Sequence, residues 1–308
     1  MVSKINLGIS VIICCYNSAK KLPETLKHIA SQEISDNILW EIIIVNNNSK
    51  DDTIKVAKRE LSKYETLNKR YKIIEEPNSG LNQARYKGLL CAQYEYILFC
   101  DDDNWLDRQY IECTYRLFEK HENLGVIGAG RAYGEYEIKP PNWFLQYKHF
   151  CAIFENRSVD EIGYTLNDNI ITCGAGMGIR RNLAVDYFHN NKSFEITDRT
   201  ENILLSGGDT DMNYFVLNKG FCIGKFVCLH FKHFMPKERI CKSYLKKLAY
   251  GLSYSSVLLA SKNNLSLNKW TLRGYCLAFF KTLFFKGLFH LQILKNQYRG
   301  QKDALNKL

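Results

Sequence analysis

At 308 residues the chain can bury a large α/β core with or without an appendage, and 46% hydrophobic with 24% charged residues excludes an unfolded polyelectrolyte. The formal charge of +10 is uneven: residues 232–308 hold 15 Lys and Arg against 2 Asp and Glu, a net of +13, leaving 27 basic and 30 acidic groups elsewhere, a net of −3. Eleven cysteines without a CxxC pair or regular spacing exclude a disulfide framework and point to reduced thiols in the cytoplasm.

The first apolar run, Ile9 to Cys15, is too short for a signal peptide and reads as a strand. YNSAK follows, then a helix from about Leu22 to Gln32, with Pro23 where a first-turn proline is tolerated. Trp40–Val45 is a second strand, and NNNSKDD turns the chain into a helix at about Thr53. Tyr71–Glu75 is a third strand, NSG a loop, and Leu81–Ala92 a helix. Tyr96–Cys100 is a fourth strand, and Gly125–Gly130 begins another. This alternation predicts an α/β fold with a mostly parallel central sheet, right-handed crossovers and helices on both faces. It fades beyond Gly130. A mixed α+β region runs to about Phe234, and from Pro236 the pattern is helical, as an appendage.

That last part includes Trp270 to Leu291, where Phe and Leu are interleaved with basic residues. Arg273, Lys281 and Lys286 interrupt it, so a transmembrane helix is not expected. Two readings stay open: contact with an anionic membrane surface, or a helical subdomain with a solvated basic face.

The densest chemical signal is YEYILFCDDDNW, Tyr94 to Trp105, in which an apolar strand ends in three aspartates. Asp101, Asp102 and Asp103 would sit at the carboxyl end of a strand, where open α/β sheets place their ligands. Adjacent carboxylates repel, so keeping them together calls for a compensating cation. Hard oxygen ligands favour Mg2+ or Mn2+, with diphosphate oxygens completing the shell. The competing reading is an acidic helix start.

Taken in order, SVIICCYNS, EIIIVNNNSKDDT, NSGLNQARYKG, YILFCDDDNW, ITCGAGMGIRRNLA, SGGDTDM and HFMPKER resemble the family 2 glycosyltransferases of the GT-A fold, over roughly residues 9–250. The resemblance implies a Rossmann-like sheet, with residues 1–130 as the nucleotide-sugar-binding half and 131–235 as the acceptor-binding and catalytic half. Residues 236–308 would form a basic helical C-terminal region.

The resemblance also assigns roles. Tyr16 and Asn17 would contact the base of the donor. Asn47 stands where the family's Asp-Asp-x-Ser motif has its second Asp; its amide oxygen can accept the N3–H of uracil without charge assistance. Asp51 would hold the turn. Arg85, with Gly88, matches the family's Ala-Arg-x-x-Gly helix and would bond base or pyrophosphate; an ordinary surface arginine is the alternative. Asp101 and Asp102 would approach the nucleotide, and Asp101 and Asp103, with His233, the metal. His233 read alone, between two Phe residues, fits a satisfied core histidine better than a ligand; its place before Pro236 and Arg239 turns the reading towards the metal. Arg239 would pair with phosphate.

Asp209 would be the base that takes the acceptor hydroxyl's proton, with Gly208 where the family commonly has Glu and Asp211 as the fallback. A helix N-cap is the plainer role for the same residues. The implied activity is an inverting, Mn2+- or Mg2+-dependent transfer from a nucleoside-diphosphate sugar, with UDP, dTDP or GDP as the nucleotide. The acceptor would be a saccharide or lipid-linked molecule, met at the inner face of the cytoplasmic membrane. Three competing readings are a nucleotidylyltransferase, which lacks its glycine-rich triphosphate loop here, a degenerate member that binds donor without transfer, and a basic nucleic-acid-binding protein. No nucleic-acid motif is present.

Overall fold

The structure is a computed structural model, and the residues it describes are 6–191, 204–266, 274, 275, 277–279, 282 and 287–308. Strands β1 (Asn6–Cys15), β2 (Trp40–Asn46), β3 (Tyr71–Glu75) and β4 (Tyr94–Asp101) are parallel, in the order β3-β2-β1-β4. β1 and β2 are nearly continuous apolar runs, as strands covered on both faces must be, and Ile9 to Ile13 and all of β2 are buried. Helices α1 (Leu22–Ala30), α2 (Thr53–Leu61) and α3 (Leu81–Cys91) make the crossovers. α1 buries Leu22, Leu26 and Ile29 at helical spacing. In α3, a Cβ on Gly88 would lie 2.5 Å from Ile12 Cγ2, so only glycine lets this helix lie so close on the sheet.

The parallel register fixes where the polar motifs meet. Cys15 pairs with Asn46, and Cys14 with Asp101, so the ends of β1, β2 and β4 share one edge. A one-residue slip would turn the buried isoleucines outward, which makes this alignment stiff.

Beyond β4 come β5 (Asn104–Leu106), α4 (Tyr110–Lys120), β6 (Leu124–Tyr136), α5 (Asn142–Leu145) and β7 (Glu161–Gly163). They are followed by β8 (Met177–Arg180), α6 (Arg181–Asn190), α7 (Gly208–Asn218) and β9 (Cys222–Met235). The sheet continues β4-β8-β6-β9-β5, with β7 on β9, and the β4–β8, β6–β8, β5–β9 and β7–β9 pairs are antiparallel. The parallel order therefore holds for the first four strands. The loss of alternation past Gly130 marks the change, since antiparallel strands need no helical crossover.

Two compact units emerge. The first comprises Met1–Glu135, Ala152–Ser193 and Met212–Phe234, and carries the core from Ile9 to Phe231. The second comprises Tyr136–Cys151, Phe194–Asp211 and Met235–Leu308. In it, α8 (Lys242–Lys262) packs on α9 (Leu288–Leu305), and a Cβ on Gly300 would meet Tyr250 O at 2.3 Å. Most of the segment Trp270 to Leu291 lies outside the described residues. Among the described residues no helix is long and apolar enough to cross a membrane.

Candidate active site

β4 ends at Asp101, the chain turns through Asp102 and Asp103, and β5 begins at Asn104. Asn104, fully buried, closes this turn by accepting the Asp101 N–H at 3.1 Å on its Oδ1. The three carboxylates then diverge. Asp101 is half-buried, with its Oδ1 4.0 Å from the guanidinium of Arg85. Arg85 is 1% exposed and stacks over Phe99. Asp102 turns towards α1, where it accepts the Ser18 hydroxyl and the Lys21 ammonium at 2.7 Å; the Thr25 hydroxyl donates to its backbone carbonyl. Asp103 faces His233, with Oδ1 3.4 Å from Nε2.

The β5–β9 register produces that last meeting. Asn104 lies opposite His233, and the Phe234 N–H donates to the Asp103 carbonyl at 2.9 Å. Trp105, stacked between His28 and Phe234, fixes the same stretch. Asp103 and His233 are 2% and 4% exposed, and His233 Nδ1 is buried without a hydrogen-bond partner among the described residues. Burial and the neighbouring Asp101 and Asp102 push the Cys14 thiol up to about 12, against the lowering effect of Arg85. Burial, aided by the three aspartates, also holds the Cys100 thiol well above its ordinary value. At neutral pH the thiols beside the acidic turn are protonated, so its donors are hard oxygens and one imidazole.

Adjacent ligands of one octahedral Mg2+ stand about 3 Å apart. The Asp103–His233 spacing fits one cation shared with outside oxygens. It does not make an all-protein cage: among the described residues no three His, Cys, Asp or Glu side chains cluster to hold a metal.

On the same sheet edge, Tyr16 directly follows β1 with 43% of its surface exposed. Asn17 adopts φ 50°, a left-handed conformation that Asn tolerates, and its Oδ1 accepts the Lys50 N–H at 2.8 Å. Asn47 is 5% exposed and fastens the β3–α3 loop: Nδ2 donates to Glu76 O at 3.0 Å and to Asn78 O at 2.6 Å, and Oδ1 accepts the Gly80 N–H at 2.8 Å. A carboxylate could not make the two donations, which explains the amide where the family motif has an acid. Asp51 holds the next turn by accepting from the backbone of Ala19 and Thr53 and from the Thr53 hydroxyl.

In the second unit, Asp209 and Asp211 lie in the first turn of α7, where the helix N-terminus favours acids. Asp209 is half-buried; Asp211 is 4% exposed and paired with Lys262 at 2.8 Å. Arg239 is half-buried in the turn that follows β9, its N–H bonded to Pro236 O.

Ser18, Lys21 and Asn104 shape the acidic turn but were not foreseen. The Lys21–Asp102 contact spans 81 residues and leaves no local signal. Asn104, adjacent to the triplet, could have been read as its closing residue.

Residues 10–188, more than half of the chain, match the model of glycosyl transferase family 2. The chain belongs to that family. The family 2 chain is 35% identical over 119 residues to the cholesterol galactosyltransferase of Borreliella burgdorferi, covering 39% of the chain and 31% of that protein. It is 31% identical over 122 residues to a poly-beta-1,6-N-acetyl-D-glucosamine synthase of Staphylococcus epidermidis, covering 39% of the chain and 27% of that protein. These matches thus span less than a third of either relative.

Among solved structures, the mannosyltransferase PcManGT from Pyrobaculum calidifontis, in complex with GDP-Man and Mn2+, superposes with a TM-score of 0.63 at 14% identity, covering 98% of this chain and 90% of that one. S. aureus TarS 1-349 gives 0.52 at 17% identity, covering 98% and 92%. At such identities the likeness establishes the fold, which is GT-A.

Proposed function

We propose that the chain transfers a glycosyl group, with inversion, from a nucleoside-diphosphate sugar to a hydroxyl of a polysaccharide or glycolipid acceptor. The observation that carries this reading is the Asp103–His233 pair at the carboxyl edge of β4, set in a family 2 domain. Asp103 and His233 would hold a divalent cation there, Mn2+ or Mg2+, with Asp101 beside them. When bound, that cation stabilises the negative charge gathering on the departing diphosphate.

Tyr16 covers the base, and Asn17 and Asn47 hold the loops that shape its pocket. Arg85, anchored on Asp101, presents positive charge to the donor, and Arg239 pairs with its phosphates. Asp102 supports the turn through Ser18 and Lys21. Asp209, or Asp211 in its place, accepts the proton of the attacking hydroxyl. A single displacement at the anomeric carbon inverts configuration. Proteins of this fold have been seen with GDP-Man and with UDP-GlcNAc, so uracil, thymine and guanine donors all stand as alternatives.

A thermal-shift screen of UDP, dTDP, GDP and their sugars, with and without Mn2+, tests the reading. One nucleotide series should raise the melting midpoint, more strongly with Mn2+. No shift from any nucleoside diphosphate under either condition would overturn it.

A further inference from the structure

We propose that the second unit carries a docking face for an anionic lipid bilayer, built from residues 138–150 and the solvent-facing stripe of α9. In α9 the exposed residues are Leu288, Gln292, Lys295, Arg299 and Lys302. Their spacing of three and four places them on one side of the helix. The opposite side, with Phe289, Ile293, Leu294 and Ala304, is already buried in the unit. The exposed stripe holds three cations and no acid, and from Leu288 to Lys302 it extends about 21 Å. The one acid of the helix, Asp303, accepts a hydrogen bond from the Tyr250 hydroxyl at 3.0 Å and lies 3.7 Å from Arg299.

At the start of α9 the buried side of the helix, next to exposed Leu288, meets an aromatic collar. Trp143 packs edge-on against Phe289 at 5.1 Å, and Tyr147 bonds His290 Nδ1 through its hydroxyl at 2.6 Å. Lys242 lies over both Trp143 and Phe289. Three large apolar side chains of this unit are exposed: Leu145 at 39% and Leu288 at 71%, each within two residues of a collar ring, and Ile138 at 45%. Lys139 and Lys148 flank them in sequence.

Exposed aliphatics beside half-buried Trp and Tyr, continued by a ladder of one charge, match the layered chemistry of a headgroup region: acyl boundary, then phosphates. The collar's rings pack on one another, so they offer no open stacking platform for nucleic-acid bases. The proposal deepens the functional reading, because a lipid-linked acceptor would be met at this face, but binding to lipid does not require transfer.

Sedimentation of the full chain with vesicles tests it, comparing phosphatidylcholine alone with phosphatidylcholine mixed with phosphatidylglycerol. Binding should require the anionic lipid and weaken as salt is raised. Each basic side chain near a charged surface is worth roughly fivefold in affinity, so Lys295→Gln/Arg299→Gln/Lys302→Gln should lose about two orders of magnitude. Leu145→Ser/Leu288→Ser should lose about tenfold or more.

Equal binding of the unaltered chain to neutral vesicles, an unchanged triple variant, or tighter binding to single-stranded DNA than to anionic vesicles would each overturn the proposal. The salt titration gives its answer without any substitution. The nucleotide thermal shift, measured without vesicles, reports the enzyme reading separately and should be the same in both variants.

Discussion

Replacing Asn47 with Asp restores the residue that the family motif would lead one to expect, and the geometry predicts that it damages the protein. The Asn47 amide donates to Glu76 O and Asn78 O and accepts from Gly80 N, in a site 5% exposed. A carboxylate keeps the acceptance, loses both donations, and sets an oxygen against two carbonyl oxygens. Two lost bonds at about 1 kcal/mol each, with the penalty of buried acceptors facing acceptors, give about 3 kcal/mol. For a protein of this size that lowers the melting midpoint by about 5–10 °C. Asn47→Ala removes the fastening without the repulsion and should fall between the two.

Differential scanning fluorimetry reads the midpoint, and a uridine nucleotide titration reads the pocket. Asn47→Asp should melt early and bind nucleotide more weakly, because the Glu76–Gly80 loop is no longer held. An unchanged midpoint with tighter uridine nucleotide binding would refute the reasoning, since the amide would then serve the base and not the loop.

Asp103→Ala is expected to abolish the Mn2+-dependent part of nucleotide stabilisation while leaving the fold intact, as read by thermal shift with and without Mn2+. Asp209→Asn should leave donor-induced stabilisation in place and lower transfer by about 10²–10⁴-fold, the usual worth of a general base. If only Asp211→Asn has that effect, the roles are exchanged.

Acid should destabilise the fold through carboxylates held below their ordinary values of 3.8 for Asp and 4.5 for Glu. Glu60 is lowered by Lys63 and then Arg59, against burial. For Asp51 and Glu112 burial works upward but is outweighed, by Thr53 and Ala19 in one case and by Ser35 and Arg116 in the other. A carboxyl depressed in the folded state gives stability that is present above its unfolded value and lost as pH falls through its folded one. The midpoint should therefore be level above the ordinary carboxylate range and drop below it; a midpoint that rises on acidification would contradict these assignments.

The parallel half of the sheet was legible because β1, β2 and β4 are apolar runs bounded by polar turns, and parallel register carries their ends to one edge. That is why Tyr16, Asn47 and Asp101 could be grouped from sequence. The antiparallel half was not legible to the same degree. β5 and β7 are three residues long, too short for any period, and exist through pairing with β9. The neighbour of Asp103 was found only through the His–x–x–Pro–x–x–Arg resemblance, while the β5–β9 register supplies its physical cause. The direction of a side chain was the least legible property. Asn47 and Asp102 lie in the expected places, yet their polar atoms serve the loops of the protein itself.

Three consecutive aspartates suggested a charge cluster that needs a metal to exist. The structure distributes the burden: Arg85 faces Asp101, Lys21 faces Asp102, and Asp103 has Lys21 at 3.7 Å and His233 at 3.4 Å. With two cations built in, two of the three negative charges are offset by the protein's own side chains, which eases repulsion within the triplet without a metal. Two protein ligands cannot satisfy an ion that prefers six, and on the proposed reading most of the shell comes from the donor's diphosphate and water. Affinity for the ion and affinity for the donor must then rise together, because each supplies ligands or charge the other lacks, and such coupling is reciprocal. Mn2+ alone should therefore move the melting midpoint little, while Mn2+ with the correct nucleotide moves it more than the two separate shifts combined.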